Sequence, residues 1–169
     1  TKQHYWQTGF RRVGIRIGGE TTWMRQNENL RGAEPRRTLW DTGTTWNAGP
    51  DYLVSAIISQ LTDRGYGTID EEDMSGAEES LPWLLLELWI DREQTHFYTI
   101  EMPAPKWYVA DGDEYRPALM PLNVPPPYGP NIFVLGEIFK EAKYALDRSR
   151  FHGFDVLRIL QNFSGYIQR

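Results

Sequence analysis

The clearest helical period in this 169-residue chain is confined to one segment, 50-PDYLVSAIISQLTDRG-65. Leu53, Ile57 and Leu61 recur every four residues there, and Val54 and Ile58 widen the stripe to a core-facing band. Pro50 suits the first helical position and Gly65 a stop. The remaining apolar residues fall in shorter runs punctuated by glycine and proline. One good helix cannot bury itself, so it must pack on sheet. The chain therefore reads as mostly β, with short helices.

The strands can be placed from alternation and turn residues. In 4-HYWQTGFRRVGIRIGGE-20, Val13, Ile15 and Ile17 share one face, and Gly18-Gly19 supplies a hairpin turn. Residues 24 to 37 are polar and charged, which predicts an exposed loop or ragged strand. Residues 38 to 41 form a short strand ending at Asp41. The acidic run 70-DEEDMSGAEES-80 predicts a solvated surface loop. A second hairpin joins 82-PWLLLELWI-90 to 97-FYTIEM-102. The segment from Pro103 to Pro130 holds eight prolines and reads as extended loop, with Asp111-Gly112-Asp113 as a turn. A closing stretch, 132-IFVLGEIFKEAKYALDRSRFHGFDVL-157, predicts strand, Gly136, a helical turn or two, and two more strands. Internal repeats and flexible linkers are lacking, so residues 1–169 are taken as one unit. A chain of this length buries roughly 70% of its unfolded surface, enough for a proper core.

Composition removes several function classes. Net charge is −5, which disfavours binding to a phosphate backbone, because counterion release needs a basic face. The one basic cluster, Arg31 with Arg36 and Arg37, is interrupted by Glu34 and reads as a solvated loop. With no cysteine, disulfides, thiol catalysis and cysteine-ligated metals are excluded. His4, His96 and His152 show no ligand spacing, so neither metal nor cofactor is expected. The longest apolar run, 84-LLLELWI-90, is far short of the ~20 residues of a membrane helix and already contains Glu87. Glu87 itself is expected to face solvent or pair with Arg92. The start Thr1-Lys2, without Met or a signal peptide, suggests a processed or excised fragment.

The chemistry concentrates in 38-TLWDTGTTWNAGP-50. A carboxylate at the end of a strand runs into Thr-Gly-Thr. Gly43 lets the backbone turn and approach closely. The threonine hydroxyls and loop amides can hydrogen-bond the carboxylate and fix its orientation. As local structure this is a strand entering a turn, and its functional reading depends on the rest of the chain.

In order along the chain, Tyr5-Trp6 and 13-VGIRIGG-19 precede Leu39-Trp40-Asp41-Thr42-Gly43-Thr44-Thr45, which is followed by Ala48-Gly49-Pro50 and the helix. Leu81-Pro82, then Pro103, Pro105 and Tyr108, come next. Val134-Leu135-Gly136-Glu137-Ile138-Phe139, Tyr144-Ala145-Leu146-Asp147-Arg148 and Gly153-Phe154 close the set. This ordered series resembles the C-terminal lobe of the pepsin-like aspartic proteases and covers nearly the whole chain. The usual cysteine pair of that lobe is missing, Glu137 stands where Asp is more usual, and the 24–37 loop is unusually charged.

The resemblance implies a double-psi-type β-barrel lobe in which an apolar-Gly loop, here at Gly136, crosses behind the Asp loop. It implies Asp41 as one of two catalytic aspartates, supported by Thr42, Gly43, Thr44 and Gly136. Thr44 and Thr45 would bind substrate backbone, with Tyr5 and Val134 as pocket lining. No other Asp of this chain is followed by Thr-Gly or Ser-Gly. The second carboxylate would therefore come from a companion N-terminal lobe on a separate or cleaved chain, or from a second copy. Activity implied is endopeptidase, on peptide substrates, in a secreted or vacuolar setting. The alternatives are a catalytically silent pepsin-like protein that binds a partner or forms part of an assembly, and a β-rich carbohydrate-binding domain using its tryptophans as a platform.

Overall fold

The computed structural model describes residues 6–25, 37–41, 43–89, 93–125 and 131–138. Two sheets and one helix of length make up this part of the chain. Strand β1 (Trp6–Ile17) turns into β2 (Glu20–Trp23) through Gly18 and Gly19, both at positive φ, 56° and 83°. Two successive left-handed residues make the turn whose twist suits a two-residue hairpin, and glycine adopts it without a Cβ clash. β3 (Arg37–Trp40) and β4 (Asn47–Pro50) flank the Asp41 loop. Helix α1 (Asp51–Asp63) follows directly.

The hairpin of β6 (Trp83–Trp89) and β7 (Phe97–Pro103) stands as the two β-rich runs predict. With β10 (Leu119–Leu122) and β11 (Ile132–Leu135), the large sheet runs β10-β4-β11-β3-β1-β6-β7, and β2 pairs on β1. β5 (Ile69–Asp70), β8 (Tyr108–Asp111) and β9 (Glu114–Pro117) make a three-stranded second sheet. The mostly β reading therefore holds.

The core lies between α1 and one face of the large sheet. Leu53, Val54, Ile57 and Leu61 of the helix, Phe10, Val13 and Ile15 of β1, Leu84, Leu86 and Leu88 of β6, and Phe133 of β11 are all buried in it. Phe10 and Phe133 stack with ring centroids 5.4 Å apart. Trp107 is fully buried and donates its indole N–H to the Pro82 carbonyl. Tyr108 donates to the Tyr66 carbonyl at 2.7 Å, and burial, with Tyr66 beside it, pushes its phenol above the ordinary value.

Four expectations need correction. Pro50 caps α1 from the end of β4, with φ −49° and ψ 131°, instead of occupying the first helical turn. The acidic run is exposed but ordered: Asp70 accepts a hydrogen bond from the Asp73 amide at 2.7 Å and starts α2 (Glu71–Met74). Its acids sit in the first turn, where the helix dipole favours negative charge, and Met74 anchors it to the core.

The proline-rich segment is not simply loop. It contains a 3₁₀ turn at Ala104–Lys106 and three strands, β8, β9 and β10, with Asp111-Gly112-Asp113 as the predicted turn between β8 and β9. Pro103 and Pro117 fall at strand ends and Pro121 on the edge strand β10, where a missing N–H costs least. Finally, Glu87 does not face solvent, and the alternative pairing with Arg92 falls on a residue outside the described ones. Glu87 is buried and ion-paired to Arg11 and Arg12, the latter through contacts of 2.6 and 2.9 Å. A register shift between Phe10 and Arg12 accompanies this pairing: a bulge gives the strand an extra residue and brings two consecutive arginines to one carboxylate. The expected loop over residues 24–37 is described only at its ends, where it is not simply exposed: Met24 is buried with its N–H on the Val13 carbonyl, and Arg37 opens β3. Residues 26–36 and the expected strands after residue 138 lie outside the described residues.

Candidate active site

Asp41 is the first residue past β3, and its backbone is tied on both sides. Its N–H donates to the Leu135 carbonyl at 3.1 Å, and its carbonyl accepts from the Thr44 N–H at 3.4 Å. The side chain is held as well. Oδ1 accepts the Gly43 N–H at 2.9 Å, and Oδ2 accepts the Thr44 hydroxyl at 2.8 Å. With a donor on each oxygen, rotation of the carboxyl group would break at least one bond. Asp41 is half-buried and Gly43 is exposed, so this oriented carboxyl lies at the protein surface.

The strands around the loop have an uncommon order. β11 pairs parallel to β3 and antiparallel to β4, lying between the two strands that the loop joins. The chain therefore crosses behind the Asp41 loop after nearly a hundred intervening residues. Gly136, the residue just past β11, makes the crossing possible. A Cβ there would lie 2.4 Å from the Trp46 carbonyl oxygen, 2.5 Å from that of Thr44 and 2.9 Å from that of Thr45. Backbone oxygens cannot swing aside as a side chain can, so only glycine fits. Beyond it, the Glu137 N–H donates to the Thr44 carbonyl at 2.7 Å and the Ile138 N–H to the Thr45 carbonyl at 3.2 Å. The loop is thus backed by a ladder of main-chain bonds.

Of the residues singled out from sequence, Asp41, Gly43, Thr44 and Gly136 come together. Thr45 is exposed at the loop surface. Val134 is half-buried in β11, with Leu39 and Ala48 as its partners across the sheet. Tyr5 and Thr42 lie outside the described residues. Sequence reasoning missed Asn47. It is fully buried, and its Oδ1 accepts the Gly136 N–H at 3.1 Å. The available signal was one polar residue between Trp46 and Ala48, at the entrance to a strand that is buried throughout.

Elsewhere the chemistry is sparse. Among the described residues, no group of three or more His, Asp or Glu is placed to hold a metal. A cleft of about 310 Å³, lined by Tyr66, Asp70, Asp73 and Glu114 among others, shares no residue with the Asp41 loop. Trp23, Trp46, Trp83 and Trp89 each have an arginine guanidinium over the ring, at 3.9, 5.0, 4.8 and 5.3 Å from the centroid. Each such contact takes up a ring face that a sugar would need. No helix among the described residues is long and apolar enough to cross a membrane. No known protein family model and no curated protein sequence matches this chain.

Proposed function

We propose that this chain is one lobe of a pepsin-like aspartic endopeptidase and contributes Asp41 as one of two catalytic aspartates. The observation that carries the reading is the clamp on Asp41: a backbone N–H on one carboxyl oxygen and a threonine hydroxyl on the other. Such a clamp orients a carboxyl group without neutralising it. The crossing of β11 behind the loop supports the same reading, since a double-psi-type lobe requires it.

The second carboxyl would come from a companion N-terminal lobe or, less favoured, from a second copy. Two carboxyls in close contact cannot both ionise, so the pair keeps one proton and titrates as a unit. The ionised member takes a proton from a bound water, which attacks the peptide carbonyl while the protonated member polarises that carbonyl. Neither a covalent intermediate nor a cofactor enters this chemistry. Thr44 holds Asp41 for the reaction, and the exposed Thr45, with Val134 and Tyr5, is assigned to the substrate.

Half a dyad cannot share a proton. The purified monomeric chain is therefore expected to hydrolyse no peptide at acid pH, and to gain turnover when a lobe carrying the second Asp is supplied. Robust hydrolysis by the monomer alone would refute the half-site reading.

A further inference from the structure

The Asn47 side chain is hard to explain by packing alone. It is fully buried, and its Nδ2 has no hydrogen-bond partner among the described residues. An apolar residue of similar size would avoid the orphaned Nδ2 but would leave the buried Gly136 N–H without this acceptor. What Asn47 offers instead is one accepting oxygen, facing the Gly136 N–H at 3.1 Å. An N–H requires an acceptor, so the oxygen must be the amide atom turned towards Gly136. Departures from the best local choice tend to mark functional positions.

The position of this bond gives it a role. The backbone at Gly136 runs so close to the carbonyl oxygens of Thr44, Thr45 and Trp46 that a Cβ has no room, and the next two amides bond to Thr44 and Thr45, so a shift of Gly136 would disturb the loop that holds the carboxyl. The Leu135 carbonyl on one side of Gly136 receives the Asp41 N–H, and the Glu137 N–H on the other side donates to the Thr44 carbonyl. Asn47 lies at the far end of the same loop, where its own N–H is anchored to the Ala118 carbonyl of the neighbouring chain segment. We infer that Asn47 is a positioning residue: by holding Gly136 against the back of the loop, it fixes the orientation of the Asp41 carboxyl. Its catalytic meaning rests on the protease reading above, whereas its effect on the loop does not.

The test separates the two. In the wild-type chain, a through-bond coupling between the Asn47 side-chain carbonyl carbon and the Gly136 amide nitrogen is expected in the NMR spectrum; its absence would overturn the proposal without any variant. Asn47→Leu removes the acceptor, and Asn47→Asp keeps a carbonyl acceptor, burial holding the new carboxyl protonated so that an O–H replaces the amide Nδ2, which has no partner among the described residues. In Asn47→Leu, the Gly136 amide should exchange faster, and the Gly43 amide proton, which reports on Asp41 Oδ1, should shift. The amides of Leu84 and Met102 should stay put, and Asn47→Asp should restore the Gly43 shift. In the two-lobed enzyme, kcat should fall roughly 10²-fold in Asn47→Leu with KM unchanged, the scale expected of a misplaced reacting group. An unmoved Gly43 resonance in a folded Asn47→Leu would refute the role of Asn47. Should the wild-type chain with a companion lobe show no turnover, the protease reading falls while the NMR arms still decide the positioning claim.

Discussion

The Asp41 loop and the outer face of the β1–β6–β7 sheet hold their charged groups in opposite ways. In the loop, main-chain atoms and one hydroxyl grip the carboxyl, and glycine provides the closeness. On the sheet, long side chains do the holding. Glu87 takes Arg11 and Arg12, Glu101 takes Arg16 through two contacts of 2.9 and 3.0 Å, and the guanidinium groups lie over Trp23, Trp83, Trp89 and Phe97. In the first arrangement the carboxyl is oriented by hydrogen bonds, with no ion pair to it among the described residues. In the second the carboxylates are matched to cations and fully engaged. A group meant for chemistry belongs in the first kind of environment, and a structural one in the second.

The contrast can be broken at three points, from largest effect to smallest. The main-chain grip should tolerate nothing at Gly136. Gly136→Ala drives a methyl into three backbone oxygens and should cost ~3 kcal/mol or more in chemical denaturation, as overpacking of a rigid site does. A cost below ~1 kcal/mol would mean that the crossing is looser than its distances imply.

The side-chain arrangement should fail by degrees. Glu87→Ala takes the shared carboxylate away from two guanidinium groups that are about a third exposed, at 30% and 36% of their side-chain surface. Water can recover part of the loss, so ~2–3 kcal/mol is expected, at or below the range for breaking a buried pair. A neutral outcome in a thermal melt would show that the pairing is incidental.

Thr44→Val sharpens the comparison most finely. It removes one hydrogen bond from Asp41 Oδ2 while preserving shape. Stability should change by ~1 kcal/mol at most. Under the proposed protease function, turnover of the chain joined to a lobe with the second Asp should fall roughly tenfold, equivalent to ~1.4 kcal/mol. Stability and turnover falling in equal proportion would point to a structural threonine.

Much of this was legible in the sequence, for identifiable reasons. The helix and both hairpins follow from periodicity and from turn residues such as Gly18-Gly19, which are local signals. The grip on Asp41 follows too, because Gly43 and Thr44 are its neighbours along the chain. The β8–β10 strands were not legible, because eight prolines hid the alternation and their places at strand ends and an edge depend on the sheet. The partners of Glu87 were missed for a similar reason. A bulge in β1, more than seventy residues away, brings Arg11 and Arg12 to it. Asn47 was hidden because its meaning lies in a contact with Gly136 across 89 residues. Long-range contacts carry no periodic signature.

The most direct test of the central claim is turnover by Asp41→Asn. The chain would be joined with a lobe supplying the second Asp and assayed on a peptide at acid pH. The substitution keeps an acceptor for the Gly43 N–H and turns an amide N–H towards the Thr44 hydroxyl, which can rotate to accept it, so folding should be preserved. If Asp41 is half of the dyad, turnover should drop by on the order of 10³-fold or more, as it does when one member of a catalytic unit is lost. Hydrolysis at the wild-type rate by a folded Asp41→Asn protein would contradict the assignment.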